Sequence, residues 1–275
     1  MSVRAHLLRG VVAGLVAGLL VGLLALLVAE PVIDRAITLD SQRVTSEYQR
    51  ALNQAIIDHH GDVAAAERQV PAPAPEVYSR RTQRFGLVLA TTLFGFGVGG
   101  VFAIVFLVIG RRGAPGTPWR RSLALAAALF TGLYLLPFIR YPANPPGVGD
   151  PATIDHRTLG YTLAIAIGAL AVWSAWRLSL FLRTRGADEP LRHTAVALTV
   201  VVALVLEFVL LPDNSDSVRV PADLLWDFRV RAVAAQLVLW GGIAGVFAVL
   251  TERAARRAER AAPVRAPLTV AASRE

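Results

Sequence analysis

Long apolar runs separated by shorter polar segments dominate the pattern of this sequence. An α-helix needs about 20 residues to cross about 30 Å of hydrocarbon, and each run is close to that length. Charged residues lie mostly between the runs. The pattern predicts an all-α, polytopic membrane helix bundle with about six transmembrane helices, at residues 10–29, 85–109, 122–139, 159–176, 195–211 and 232–250.

The segment between the first two runs, residues 30–84, is the longest polar stretch. Apolar residues recur at helical spacing from Val44 to Ile56, which predicts an amphipathic helix lying on the membrane or on the bundle. Alternating prolines at residues 70–75 then predict a stiff polyproline spacer. We therefore expect one transmembrane domain, residues 1–250, with an outer loop at 30–84 and a basic cytoplasmic tail at 251–275.

The distribution of arginines predicts the orientation. Six spans place both termini on the same side of the membrane. If that side is cytoplasmic, the short inner loops carry 8 arginines and the short outer loops 5, as the positive-inside rule requires. Both termini are therefore expected to be cytoplasmic. The net charge of +8 then reflects orientation and a basic tail near anionic lipid, not nucleic-acid binding.

Composition narrows the function classes. With 55% hydrophobic and 17% charged residues, the chain is neither an ordinary water-soluble protein nor a disordered one. Cysteine is absent and Met1 is the single methionine, so any metal would be held by nitrogen and oxygen ligands. All 28 basic residues are arginine, which, with the richness in Ala, Gly, Val and Leu, indicates a GC-rich bacterial source. For a chain with several helical spans from such a source, we expect the bacterial cytoplasmic (inner) membrane. No motif pairs a nucleophile with a base, so an enzyme is not expected.

Glu207 is the sharpest single feature, because it lies inside the fifth apolar run. An ionisable group within a span costs about 3 kcal/mol or more, and it usually faces a partner or a water-filled path. The carboxylate is therefore a candidate cation site. The alternative is that the acid reaches the interface at the outer end of the span.

Other polar residues cluster where the outer ends of the spans are predicted. Carboxylates and imidazole suit divalent first-row metals such as cobalt and nickel. In addition to Glu207, the candidate metal ligands are therefore Glu30, Asp150, Asp155, His156 and Asp227. Solvated acids in outer loops are the plain alternative.

The outer segment contains a second, weaker candidate at His59 and His60. Near a helix end broken by Gly61, these two imidazoles could converge on a metal together with a neighbouring aspartate. A pair of surface histidines without any ligand is an equally good interpretation.

Three segments resemble the CbtA family of predicted bacterial cobalt transporter subunits. They are Ala-Glu-Pro-Val-Ile-Asp at residues 29–34, the proline- and glycine-rich loop at 141–157, and Pro-Ala-Asp-Leu-Leu-Trp-Asp-Phe-Arg at 221–229. The resemblance covers most of the chain, from the first span to the sixth. It implies uptake of cobalt for cobalamin synthesis, beside a small single-span, histidine-containing subunit of the CbtB type.

Three hypotheses about function follow. The first is a permease subunit that takes up a divalent cation, cobalt or nickel, with no permanently bound cofactor. The second is a non-transport membrane scaffold or accessory subunit, whose acidic loops bind a partner. The third is a proton-coupled carrier of another small solute, with Glu207 as the proton site. In each case the lipid bilayer is a partner and nucleic acid is not.

Overall fold

The computed structural model describes residues 2–75, 77–111, 116–214 and 216–261, and the regular structure in these ranges is helical. Within these ranges six helices are long and apolar enough to cross a membrane, which confirms the predicted helical membrane bundle. The helices are α1 (Val3–Leu24), α2 (Glu30–Asp58), α3 (Val63–Gln69), α4 (Arg80–Arg111), α5 (Pro118–Phe130), α6 (Leu136–Arg140), α7 (Ile154–Thr184), α8 (Glu189–Leu210) and α9 (Ala222–Ala261).

The first span does not end where its apolar run ends. A π-helical segment, Ala25–Ala29, joins α1 to α2, so that one continuous helix of 56 residues runs from Val3 to Asp58. At 1.5 Å per residue this helix is about 84 Å long, well beyond the thickness of a bilayer. The predicted outer loop is therefore mostly helical. Its amphipathic part continues the first span as α2.

We call α2 and α3 together the arm, and the end of the bundle that carries it the outer end, following the predicted orientation. At the base of the arm, Val32 and Ala36 pack against Leu224 of α9. Near its tip the buried Ala55 and Ala66 hold α3 against α2. Residues 70–75 are not helical, in agreement with the predicted polyproline spacer.

Two π-helical segments, Ala25–Ala29 and Thr131–Leu135, each end just before a helix that contains a proline, Pro31 or Pro137. Proline has no backbone N–H, so it cannot donate the usual bond to the carbonyl four residues earlier. In both places the preceding residue donates its N–H five residues back, Glu30 to Ala25 and Leu136 to Thr131. The helix thus widens locally and continues through the proline.

Small residues let α1 and α4 approach closely. A Cβ atom added at Gly10, Gly14 or Gly18 would meet backbone oxygens of Gly99, Gly95 and Thr91. In a bilayer, such close backbone contact is a main source of helix association, because lipid and leucine are equally apolar. The glycines at residues 95 and 99 are therefore a packing face, as the small-residue spacing indicates.

The spans follow one another in the order α4, α1, α9, third span, α7, α8, each packing on the next. The third span consists of α5, its π-helical segment and α6, and it joins the group α4–α1–α9 to the pair α7–α8. At this junction Gly132 and Gly168 touch through their backbones. The predicted tail begins as the end of α9, while residues 262–275 lie outside the described residues.

Candidate functional site

Glu207 lies in the last turn of α8 and has no solvent exposure. Neither carboxylate oxygen has a hydrogen-bond partner among the described residues. The carboxylate thus lies inside the bundle, as its position within the apolar run predicts. Burying an ionised group without a partner is unfavourable, so a site of this kind favours binding of a cation or a proton.

Arg140 ends α6 beside Glu207, and its side chain is 7% exposed. Its guanidinium donates to the backbone carbonyls of Glu207 (Nε to O, 3.2 Å) and Leu211 (Nη2 to O, 2.8 Å). Nη2 also donates to Oδ1 of Asp213 at 2.7 Å. Arg140 therefore joins the C-terminal end of α8 to an exposed carboxylate.

A pocket of about 300 Å³ at the outer end, which we call the outer pocket, is lined by two neighbours of Arg140, Tyr141 and Asp213. The loop after α6, the start of α7 and the loop after α8 together form it. Its lining combines carboxylate, imidazole, guanidinium and phenol groups, supplied by Asp213, Asp216, His156, Arg157 and Tyr141. The Tyr141 hydroxyl donates to the carbonyl of Pro212 at 2.7 Å, so the two loops are tied together across the pocket.

Asp216, which lines the outer pocket, connects the loop after α8 to the segment before α7. Its side chain is 4% exposed and accepts hydrogen bonds from the Thr153 hydroxyl (2.9 Å) and the Asp150 backbone N–H (3.3 Å). Arg157 Nε lies 3.1 Å from Oδ2. With its oxygens occupied in this way, Asp216 holds the pocket together more than it offers a ligand.

The loop at 141–157 supplies three of the candidate ligands, but they do not converge. His156 lines the outer pocket and is exposed. Asp155, also exposed, lies in the first turn of α7, and Asp150 accepts from the Ala152 N–H at 2.8 Å as a helix cap. Within the described ranges no group of three or more His, Cys, Asp or Glu side chains is arranged to hold a metal ion.

Glu30 takes part in an ion-pair network at the base of the arm. Its Oε2 accepts from Arg80 at 2.8 Å and from Arg84 at 2.9 Å, and the side chain is 7% exposed. The same two arginines bind Asp34, each at 2.6 Å. The network therefore ties α2 to the start of α4, and we leave Glu30 out of the proposed site.

Asp34 lies beyond the apolar part of the first helix, on the arm. The hydrogen bond from Arg80 lowers the pKa of this carboxyl below its ordinary range, and the charges of Arg80 and Arg84 act in the same direction. A carboxylate stabilised by two guanidinium groups stays ionised at neutral pH. The network is therefore a charged clamp, not a vacant cation site.

The remaining candidates are apart from the outer pocket. Asp227, on α9, pairs with Arg231 at 3.2 Å. His59 and His60 lie at the tip of the arm, where His59 Nε2 is 2.7 Å from Oε1 of Gln69 and His60 has φ of 54°. These groups do not belong to the region around Glu207.

Sequence reasoning named Glu207 and His156 but overlooked Arg140 and did not select Asp213. Arg140 stands at the end of an apolar run, where an arginine is ordinary, and its role depends on α8 folding back against α6. The usable signal is the arginine itself, which ends Leu-Pro-Phe-Ile-Arg at residues 136–140, directly after an apolar run.

Comparison with known proteins gives one finding. A family model described as "Probable cobalt transporter subunit (CbtA)" matches residues 3–252. No curated protein matches the chain, and no solved structure does.

Proposed function

The chain belongs to the CbtA family of probable cobalt transporter subunits, and from this premise we propose that it carries a divalent cation, cobalt, inward across the bacterial cytoplasmic membrane. The family is one of transporter subunits and not of enzymes, and the six membrane helices agree with a transport role. The proposal adds the ion, the direction and the path through the bundle.

One observation carries the proposal: the carboxylate of Glu207 is fully buried within a membrane-spanning helix and has no hydrogen-bond partner among the described residues. Ionisable groups within membrane spans are energetically costly, and they commonly mark the pathway of an ion or a proton. We place the substrate cation first in the outer pocket, near His156 and Asp213, and then beside Glu207. Since no described cluster encloses a metal, the ion would keep part of its water shell in the outer pocket.

The membrane potential supplies sufficient energy for inward movement. Each elementary charge gains about 2.3 kcal/mol per 100 mV, so a dication gains about 4.6 kcal/mol when it moves to an inside-negative compartment. Transport down the electrical gradient therefore needs no nucleotide. The resemblance to the family implies a partner of the single-span, histidine-containing CbtB type, and a product destined for cobalamin synthesis.

The test is voltage-driven cobalt uptake into proteoliposomes that contain the purified chain. We expect uptake above that of empty vesicles for the wild type, and loss of most of it in Glu207→Gln, which keeps the shape and removes the charge. Glu47→Gln is a matched control, because Glu47 is a half-exposed residue on the arm. Equal uptake by wild type and empty vesicles would reject transport by this chain alone.

A second candidate function is that of an accessory subunit without its own ion path. It is favoured by the observation that Glu30, Asp213, Asp216 and Asp227 are all in ion pairs with arginines. In that case cobalt uptake would require the partner subunit, and Glu207→Gln would leave uptake by the reconstituted pair unchanged.

A further inference from the structure

Arg140 places a fixed positive charge on the proposed path between the outer pocket and Glu207. It binds the pocket residue Asp213 on one side and the backbone carbonyl of Glu207 on the other. Its guanidinium also lies over the rings of Tyr141 and Phe208, 5.0 and 5.1 Å from their centres. A cation that entered through the outer pocket would meet this charge before it reached Glu207.

Capping of α8 accounts for part of this arrangement. The last carbonyls of a helix lack partners within the helix, and a cation at the C-terminal end is favourable. The bonds to the carbonyls of Glu207 and Leu211 fit that role. Capping does not account for the bond to Asp213, whose side chain is 92% exposed, nor for the nearby carboxylate of Glu207 that lacks a partner.

The charges of these groups indicate which ions could replace Arg140. With both carboxylates ionised, Glu207 and Asp213 together carry two negative charges, and Arg140 compensates one of them. The side chains of Arg140 and Glu207 are both buried. The ions to compare are therefore those that could replace the positive charge of the guanidinium. A monovalent ion would restore no more charge than Arg140 provides. A dication would compensate both carboxylates.

We propose that the Arg140 guanidinium holds the resting positive charge on this path, between Asp213 and the backbone of Glu207, and excludes monovalent cations, because a dication gains more than a monovalent ion by displacing it. This inference rests on the proposed function, since it assumes that the path leads through Glu207. In the resting state the guanidinium closes the path between the outer pocket and Glu207. Arrival of the dication at Asp213 releases one of its anchors, and the side chain moves aside.

The experiment compares potassium and cobalt fluxes in proteoliposomes that contain wild type, Arg140→Gln or Arg35→Gln. Arg35, on the arm, forms an exposed ion pair with Asp223 of α9, so its replacement is a matched loss of one arginine outside the path. We expect potassium flux in Arg140→Gln to exceed that of wild type and Arg35→Gln by about tenfold or more, because one repulsive charge has gone from a buried site. The potassium flux of Arg140→Lys should stay at the wild-type level, because lysine keeps the positive charge.

The outcomes separate this inference from the proposed function. If wild type carries cobalt and Arg140→Gln still excludes potassium, Arg140 is a helix cap and the inference is wrong, while the proposed function stands. If wild type carries no cobalt but Arg140→Gln passes potassium, the closing role holds and cobalt is the wrong substrate. If neither protein carries any ion, both are rejected.

A second variant protects the test against misfolding. Asp213→Asn removes the exposed anchor of Arg140 and leaves the two carbonyl bonds in place. The loosened guanidinium should raise potassium flux several-fold over wild type. If Arg140→Gln does not fold, an unchanged potassium flux in Asp213→Asn overturns the inference.

Discussion

Glu207 and Glu30 have nearly equal burial and opposite surroundings. Glu30 accepts hydrogen bonds from two arginines, whereas the carboxylate of Glu207 has no partner among the described residues although Arg140 lies beside it. A paired carboxylate is a structural tie, while an unpaired one in a membrane span is available to a passing cation. We therefore distinguish a structural glutamate from a candidate cation site by the hydrogen-bond partners of its carboxylate, since both residues are of the same type.

His156 supplies the one imidazole in the lining of the outer pocket. Imidazole prefers borderline transition metals, whereas carboxylates alone favour hard cations. In His156→Ala the preference for cobalt over calcium should fall several-fold, up to roughly tenfold, or about 1.4 kcal/mol. Binding titrations with calcium as competitor measure this preference. His193→Ala is the control, because His193 is an exposed histidine at the other end of the bundle. An equal preference for cobalt over calcium in the two variants would remove His156 from the site.

The clamp at the base of the arm predicts a dependence on pH. The pKa of Asp34 is lowered in the folded state. The ionised Asp34 side chain therefore stabilises the fold at pH values above 3.8, the ordinary pKa of the group, and this stabilisation is lost as the pH falls below that value. Asp34→Asn should therefore lower the melting temperature at pH 7 and have a smaller effect near pH 3. Asp58→Asn, an exposed aspartate at the arm tip, should show no such difference. A pH-independent effect of Asp34→Asn would contradict the ionic clamp.

At the scale of elements, the sequence was sufficient to predict the membrane-spanning helices but not the continuous helix that forms the arm. Apolar runs of about 20 residues locate helices in a bilayer because a helix satisfies all its backbone hydrogen bonds within the one segment. The continuation from α1 to α2 depends on a π-helical segment that accommodates Pro31, and a proline ordinarily ends a helix. The outer pocket needed the loops after α6 and α8 to meet, which local spacing does not predict.

The packing of α1 on α4 predicts an asymmetry between glycines. Gly14→Ala would drive its Cβ into the backbone of Gly95 and force the helices apart, whereas a Cβ at Gly97 meets nothing within 4 Å. We expect Gly14→Ala to lower stability by about 1–3 kcal/mol, as overpacking does, and Gly97→Ala to have little effect. Thermal unfolding in detergent measures both. Equal melting temperatures would show that α1 and α4 do not pack through these glycines.

At the scale of the whole molecule, the third span is the joint between two groups of helices. The proposed ion path lies on the α7–α8 side of that joint, while the arm belongs to the α4–α1–α9 side. Arg140 ends the third span and Glu207 ends α8, so movement of the α7–α8 pair relative to the third span would separate the two residues.

The orientation of the whole molecule is predicted from the arginines and has a simple test. The chain contains no cysteine, so single cysteines can be labelled without background. Ala72→Cys, beside the arm, should react with an impermeant reagent in intact cells, and Ala258→Cys, near the end of α9, only after permeabilisation. The reverse pattern would place the arm and the outer pocket on the cytoplasmic side.

The central claim is that Glu207 is the internal cation position. Anomalous diffraction at the cobalt absorption edge, from crystals of the purified chain grown with cobalt, tests it most directly because it locates the ion itself. We predict an anomalous peak beside the Glu207 carboxylate, with the guanidinium of Arg140 displaced from its present bonds. A map with cobalt bound elsewhere, Glu207 without an ion and Arg140 still on Asp213 would contradict the claim.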